Sequence, residues 1–429
     1  MTPASRLLLG VLLVVAVTIR AGFALQVPAE DPFYPDGADY SRVATGLANG
    51  QGFYPPEMRP HVVYRAPFYP VFLAGIYRVA GNENFVVVRL AQCLLAGMTG
   101  WLLFWIGHRL GGALAGLVAL GIFTVHPFFI YQCATVSPET LFIFLAVLGY
   151  SLLFKLFFEG HLRDAALAGI AFGLAAVTKG TVLPVLPAAC LTLVFALRWA
   201  LPKRLTAAVV LSAVTLLVIS PLSIYTYARW HEFSLILDGS GLNFYIANSD
   251  DSVRLFQSQD AKEFRAVQKQ LWMETLPGFE REIGNLAPAS RDAWYFRRGW
   301  ERFEAHPGLS LWMMWERFKI FWGPWVHPKA YGMKEVLVSG LASVPLFIFG
   351  LWALFRRLRQ GQPDAVFGAM VMVLITLIAG MLFNTEIRWR IPLIDTLLIL
   401  NTAVGVAPYL VRWPVIRHAV PASSDALPG

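Results

Sequence analysis

The stretch Pro138–Phe158, PETLFIFLAVLGYSLLFKLFF, decides the class of this protein. A helix needs about 20 apolar residues to cross the hydrocarbon core of a bilayer, and this run supplies them with a carboxylate, Glu139, at one end. Runs of the same kind recur at 5–25, 83–107, 112–131, 162–178, 181–199, 205–226, 335–355, 364–383 and 391–411, so the sequence predicts an all-α polytopic membrane protein of ten spans, within a range of 10–12. The composition agrees. Of 429 residues 57% are hydrophobic and 14% charged, a balance outside the range of soluble domains. Two shorter apolar stretches, Pro67–Tyr77 and Leu309–Trp325, read as helices lying at the interface, the first too short to cross and the second interrupted by Glu316, Arg317 and Lys319. Residues 1–25 read as an uncleaved first span rather than a signal peptide, because Arg20 falls where a small-residue cleavage site belongs.

Several function classes drop out at this level. The net charge of +8 comes from basic residues dispersed between spans, so nucleic acid is not an expected partner. Cys93, Cys133 and Cys190 lie in or beside apolar runs without CxxC spacing, and His61, His126, His231 and His327 have no zinc-site spacing. The chain carries neither a P-loop nor a Rossmann fingerprint.

Basic loops stay on the cytoplasmic side, and an inside N-terminus places Arg109, Arg163, Arg198, Lys203, Arg204, Arg356, Arg357, Arg359, Arg412 and Arg417 there together. The chain then divides into an N-terminal membrane module, 1–226, with an outer loop at 26–82; an outer loop region, 227–334; a C-terminal membrane module, 335–411; and a cytoplasmic tail, 412–429. Lys179, Arg388 and Arg390 break the charge rule, since they fall in short outer connections. Arg20, Arg89, Glu139 and Asp395 fall near the outer ends of spans, where ionisable groups either mark function or snorkel to the headgroups.

The outer loop opens with PDGADYSRVATGLANGQGFYPP, Pro35–Pro56, in which Tyr40, Val43, Ala44 and Leu47 keep helical spacing. A short amphipathic helix is expected over 37–48, with Asp36 as its N-cap and Asp39 in its first turn. That reading alone needs no catalysis. The functional alternative makes one of the two carboxylates a base, with Arg65 approaching the same membrane boundary.

PDGADYSRVATGLANGQGF followed by YRAPFYPVFLA resembles the first outer loop of the GT-C integral-membrane glycosyltransferases, in the branch of the protein O-mannosyltransferases and the lipid A aminoarabinose transferase. The likeness continues through TVSPETLFIFLAVLGY, GIAFGLAAVTKGTVLPVLP, GSGLNFYIANSDD, AHPGLSLWMMWERFKIFW and EIRWRIPLIDTLLIL, in that order, over about residues 5–411. It implies a GT-C bundle with outer-face helices. It also implies transfer of a sugar, hexosyl or pentosyl, from a polyprenyl-phosphate donor to a hydroxyl on a glycan, lipid or protein acceptor at the outer face, in a bacterial inner membrane with the site toward the periplasm. Asp36 stands at the family's catalytic carboxylate and Glu139 at its later acid, while Gly37 replaces the acid that many members carry and Asp39 provides a second one nearby. Arg65, Lys179, Arg388 and Arg390 would hold the donor phosphate, and Tyr40, Asn243 and Asn248 would contact substrate. A phosphate leaves without protonation, so one base suffices and inversion is expected. No metal ligand set is assigned; Asp36 and Glu139 would be the residues to hold Mg2+ or Mn2+. A flippase for polyprenyl-linked sugars is the alternative, although its charges would have to serve both sides and no internal repeat is visible.

Overall fold

The computed structural model describes residues 1–33, 35–53, 65–236, 239–384 and 386–411; His61, Arg412, Arg417 and the tail beyond 411 lie outside them. Helices α1 (Pro3–Ala24), α2 (Pro35–Ala48), α3 (Phe68–Ala80), α4 (Phe85–Val125), α5 (Pro127–Ala134), α6 (Glu139–Glu159), α7 (Leu162–Ala176), α8 (Val185–Phe195) and α9 (Leu201–Trp230) form the first part. A second helical unit comes next, with α10 (Ser240–Asn248), α11 (Asp250–Gln257), α12 (Ala261–Gln270), α13 (Leu276–Ile283), α14 (Pro288–Ala305) and α15 (Pro307–Phe321). The last part holds α16 (Met333–Arg359), α17 (Pro363–Ile375), the single turn α18 (Ile387–Arg390) and α19 (Thr396–Leu410). No strand occurs among the described residues.

The protein is an integral membrane protein, and seven of its described helical segments are long and apolar enough to cross a bilayer. They carry eight of the ten expected spans, because α4 takes in both 83–107 and 112–131 across a break at Gly111 and Gly112, whose φ of 81° leaves the helical region. The other two expectations, 162–178 and 181–199, become the shorter α7 and α8. A turn of 3-10 helix at Gly180–Val182 and Pro184, the N-cap of α8, separate the two and explain the shortening. Both stretches expected at the interface are separate helices, α3 and α15.

One apolar core runs through the bundle, in which α1 packs on α4, α7 lies between α6 and α9, and α19 lies between α4 and α16. The α7–α9 contact uses a small-residue seam: a Cβ at Gly169 would come within 2.8 Å of the Leu211 carbonyl oxygen, and one at Gly173 within 2.6 Å of Val218 Cβ. Backbones that approach so closely gain dispersion contacts that larger side chains would prevent.

Four arginines, Arg20, Arg89, Arg317 and Arg390, are among the largest fully buried side chains, and each donates to carbonyls at the end of a helix. Arg20 reaches Phe123 O at 2.7 Å and Thr124 O at 3.2 Å, the last turn of α4, and its guanidinium covers the Phe123 ring. Arg89 joins Ala134 O, the end of α5, at 2.9 Å to the loop carbonyls of Val27, Pro28 and Asp31. Arg317 donates to Met381 O at 2.7 Å and to Ala247 O near the end of α10. These carbonyls have no partner within their own helix and no water in an apolar interior. Arg20 and Arg89 therefore neither snorkel nor face a cavity; they cap helices from inside the bundle.

Arg20→Met keeps the apolar stem and strips the donors from Phe123 O and Thr124 O, with a cost of about 1–3 kcal/mol for each buried carbonyl left unsatisfied. A lower midpoint of thermal unfolding in detergent, with unchanged helix content before the transition, is the expected result.

Candidate active site

Helix α2 begins at Pro35, so Asp36 lies in its first turn rather than at its N-cap. Glu139 is the first residue of α6. Both carboxylates thus sit where the helix dipole is positive and backbone N–H groups lack helical partners, which favours negative charge. Three backbone hydrogen bonds bring their neighbourhoods together. Val136 N donates to Pro32 O at 2.9 Å, tying the approach to α6 to the approach to α2. Phe68 N donates to Val177 O at 3.1 Å, fixing the start of α3 to the end of α7, and Asn384 N donates to Asn243 O at 3.1 Å, joining α10 to the segment before α18.

Around that framework the charged side chains form a connected cluster. Arg65 Nη2 bridges Asp36 Oδ1 at 2.8 Å and Asp39 Oδ2 at 3.1 Å, with its guanidinium 5.3 Å from the Tyr40 ring centre. Lys179 Nζ donates to Glu139 Oε1 at 2.9 Å and lies 5.9 Å from the ring centre of Trp389. Arg388 Nη1 stands between the acids, 3.8 Å from Asp36 Oδ2 and 3.7 Å from Glu139 Oε1, while its Nε pairs with Glu386 Oε2 at 2.7 Å. Burial works against the charge on Arg65, but Tyr40, Asp36 and Asp39 outweigh it and raise its pKa above the ordinary value. Burial also raises the pKa of the Tyr40 phenol, so Tyr40 stays protonated.

The cluster lines a cavity of about 1800 Å³. Asp36, Tyr40, Arg65, Glu139, Lys179, Asn243 and Arg388 line it, together with Glu386 and Trp389, which the sequence reading passed over. Both lay within the stretch EIRWR, where an acid two residues before an exceptional arginine was a legible signal. Trp272, Phe296 and Trp300 from the α10–α15 unit line the same space.

Two expected site residues are placed elsewhere. Arg390 is fully buried, paired with Asp395 at 2.8 Å and donating to Gly323 O at 2.9 Å and to Phe321 O at the end of α15. It is another interior helix cap, and its charge is neutralised by Asp395 instead of a ligand. Asn248 is buried in the last turn of α10 and donates to Phe244 O at 2.9 Å, which leaves it no path to the cavity. Asp39 holds Arg65 from the side and is absent from the described cavity lining.

No group of three or more His, Cys, Asp or Glu among the described residues could hold a metal ion. The space between Asp36 and Glu139, where a shared divalent ion would sit, is taken by the Arg388 guanidinium.

The departure at Gly37 has a steric cause. A Cβ there would lie 2.6 Å from Pro32 Cβ and 2.9 Å from Val136 O, the two segments whose backbone hydrogen bond sets Asp36 beside Glu139. No side chain fits.

Residues 64–225 match the family described as dolichyl-phosphate-mannose-protein mannosyltransferase, a segment that contains Arg65, Glu139 and Lys179 but not Asp36 or Arg388. No curated protein gives a significant match. Among solved structures, the oligosaccharyltransferase AglB of Archaeoglobus fulgidus, in complex with an inhibitory peptide and a dolichol-phosphate, superposes with a TM-score of 0.60 at 14% identity, over 99% of this chain and 53% of that one. The apo oligosaccharyltransferase of the same organism gives 0.58 at 14% identity, over 96% and 51%. A form tethered to an acceptor peptide containing the NVT sequon gives 0.57 at 14% identity, over 97% and 52%. The chain spans about half the length of these structures, and at such identity the likeness establishes the fold, which is of the GT-C type. The resemblance read from the outer-loop motifs is supported by the family match and by this fold.

Two substitutions test the construction of the cluster. Lys179→Met leaves the buried Glu139 without its nearest cation and should cost about 3–5 kcal/mol, the range for removing one partner of a buried pair, and adding Glu139→Gln should recover most of the loss. A double-mutant cycle by thermal unfolding in detergent measures this. Gly37→Asp, which restores the acid common among the relatives, should lose about 1–3 kcal/mol by overpacking in the same assay.

Proposed function

We propose that the protein is a glycosyltransferase that moves a sugar from a polyprenyl-phosphate-linked donor to an acceptor hydroxyl at the outer face of the membrane, with inversion. The observation that carries this reading is the convergence of Asp36, Glu139, Lys179 and Arg388 on a single large cavity, inside a GT-C fold. The cavity joins that cluster to Leu183, Pro187, Ile378 and Ala379, apolar residues beside or within the helices of the bundle. A lipid-linked sugar can enter from that side with its phosphate leading, whereas a nucleotide sugar would find no phosphate-binding loop.

Asp36 is the base. It lies on the cavity wall and accepts from Arg65, whose same nitrogen also donates to Asp39, so the carboxylate is oriented before substrate arrives. As Asp36 takes the proton of the acceptor hydroxyl, the acceptor oxygen bonds to the anomeric carbon, and the bond from that carbon to the phosphate oxygen breaks on the opposite face. The departing polyprenyl phosphate keeps both bonding electrons. Arg388 and Lys179 then stabilise its developing charge, Arg388 by paired N–H donors and Lys179 as a point charge over Trp389. Arg65 is committed to the two aspartates and serves as an orienting residue rather than a phosphate ligand.

Purified protein in liposomes, supplied with a panel of polyprenyl-phosphate sugars, should release polyprenyl phosphate, and Asp36→Asn should lower that release by about 10²–10⁴-fold, the range for a general base, while still binding donor. Movement of intact donor between leaflets without release, equal in both proteins, would replace this reading with the flippase.

A further inference from the structure

The cavity is larger than a sugar phosphate requires. Ligand pockets for molecules of that size run to about 300–1000 Å³, against about 1800 Å³ here. The space beyond the charged cluster is walled by the α10–α15 unit, between α9 and α16, and its most prominent groups are aromatic.

Phe296 and Trp300 are one helical turn apart on α14 and share a face. The buried Phe244 of α10 stacks on Phe296 with ring centres 4.4 Å apart and planes at 17°, so one face of Phe296 is backed by protein. Trp300 lies nearly parallel to Phe303, at 4° and 5.4 Å, and its Nε1–H donates to Glu304 Oε1 at 2.7 Å. Both rings are thus held in place before any ligand binds, yet Phe296 remains 43% and Trp300 46% exposed. Gln268, Arg297 and Asn243, planar side chains with hydrogen-bonding edges, line the same space.

Fixed aromatic surfaces that share a cavity with amide and guanidinium edges suit a flat ligand with apolar C–H faces and a polar rim. A pyranose ring has that anatomy. A fatty-acyl or prenyl chain has no use for the hydrogen-bonding edges, and the apolar helical residues Leu183, Pro187 and Ile378 offer it a separate wall. We propose that Phe296 and Trp300 form an acceptor subsite for a saccharide ring, so that the acceptor is a glycan presented from the outer side. This rests on the glycosyltransferase reading, which decides that the second ligand of the cavity is an acceptor.

The test uses the full chain in lipid nanodiscs without donor and a panel of neutral oligosaccharides of glucose, galactose, mannose and rhamnose, with saturation-transfer NMR as the readout. At least one oligosaccharide should receive saturation from wild type. Phe296→Leu, which keeps apolar packing on Phe244 but loses the flat ring, should weaken that binding at least tenfold, and Phe296→Tyr should stay within threefold of wild type; thermal unfolding checks that both variants fold. Binding of no oligosaccharide, equal binding by Phe296→Leu, or displacement of the saccharide by a fatty-acyl amphiphile without a sugar overturns the subsite. Release of polyprenyl phosphate, measured on the same wild-type preparation, separates the two readings. Release without saccharide binding removes this inference alone, and saccharide binding without release from any donor removes the glycosyltransferase reading and with it the role of acceptor.

Discussion

Helix ends that stop inside an apolar bundle need hydrogen-bond donors, and this protein supplies them with buried arginines. Arg20 serves α4, Arg89 serves α5, Arg317 serves α10 and the turn ending at Leu382, and Arg390 serves α15. An arginine has five donors in a rigid fork and can satisfy carbonyls from two segments at once, which a lysine or a serine does less well. Because each fork joins segments far apart in the chain, the same groups that solve the hydrogen-bonding problem also fix the relative positions of the helices. The open volume beside the bundle depends on those helices ending where they do.

Interrupted helices recur around the cavity. Three π-helical segments occur among the described residues, at Leu271–Thr275, Thr376–Leu382 and Ile391–Asp395. The first presents Trp272 and Met273 to the cavity, the second presents Ile378 and Ala379, and the third follows α18, the turn that carries Arg388 and Trp389. A π turn adds a residue to the helical period and rotates the rest of the helix, so a side chain that an α-helix would point at a neighbour can point into open space. The turn after α7 acts to the same end. α7 ends at Ala176, and the break before the 3-10 turn at Gly180–Val182 leaves Lys179 beside Glu139 instead of on an apolar face.

The cluster is close to balanced in charge, and this shapes its chemistry. Each of Arg65, Lys179 and Arg388 already has a carboxylate neighbour, so the site binds an anion by exchanging partners within a fixed frame. Arg388 is the natural point of exchange, since it touches Asp36, Glu139 and Glu386 and belongs to none of them alone.

Local patterns in the chain were enough to establish the membrane class, the approximate positions of the spans, the helical nature of 37–48 and the family of motifs, because hydrophobic runs, caps and turn residues act over a few positions. They also singled out Asp36, Arg65, Glu139, Lys179 and Arg388, partly through a charge rule that three lysines and arginines broke. They could not separate Arg388 from Arg390, two residues apart in EIRWR, since one faces Asp36 and Glu139 while the other is sealed against Asp395 and the end of α15. That distinction belongs to the folded arrangement alone. Which carbonyls lack partners, which carboxylate lies within reach and which aromatic ring keeps an open face are properties of segments hundreds of residues apart, and no local pattern carries them.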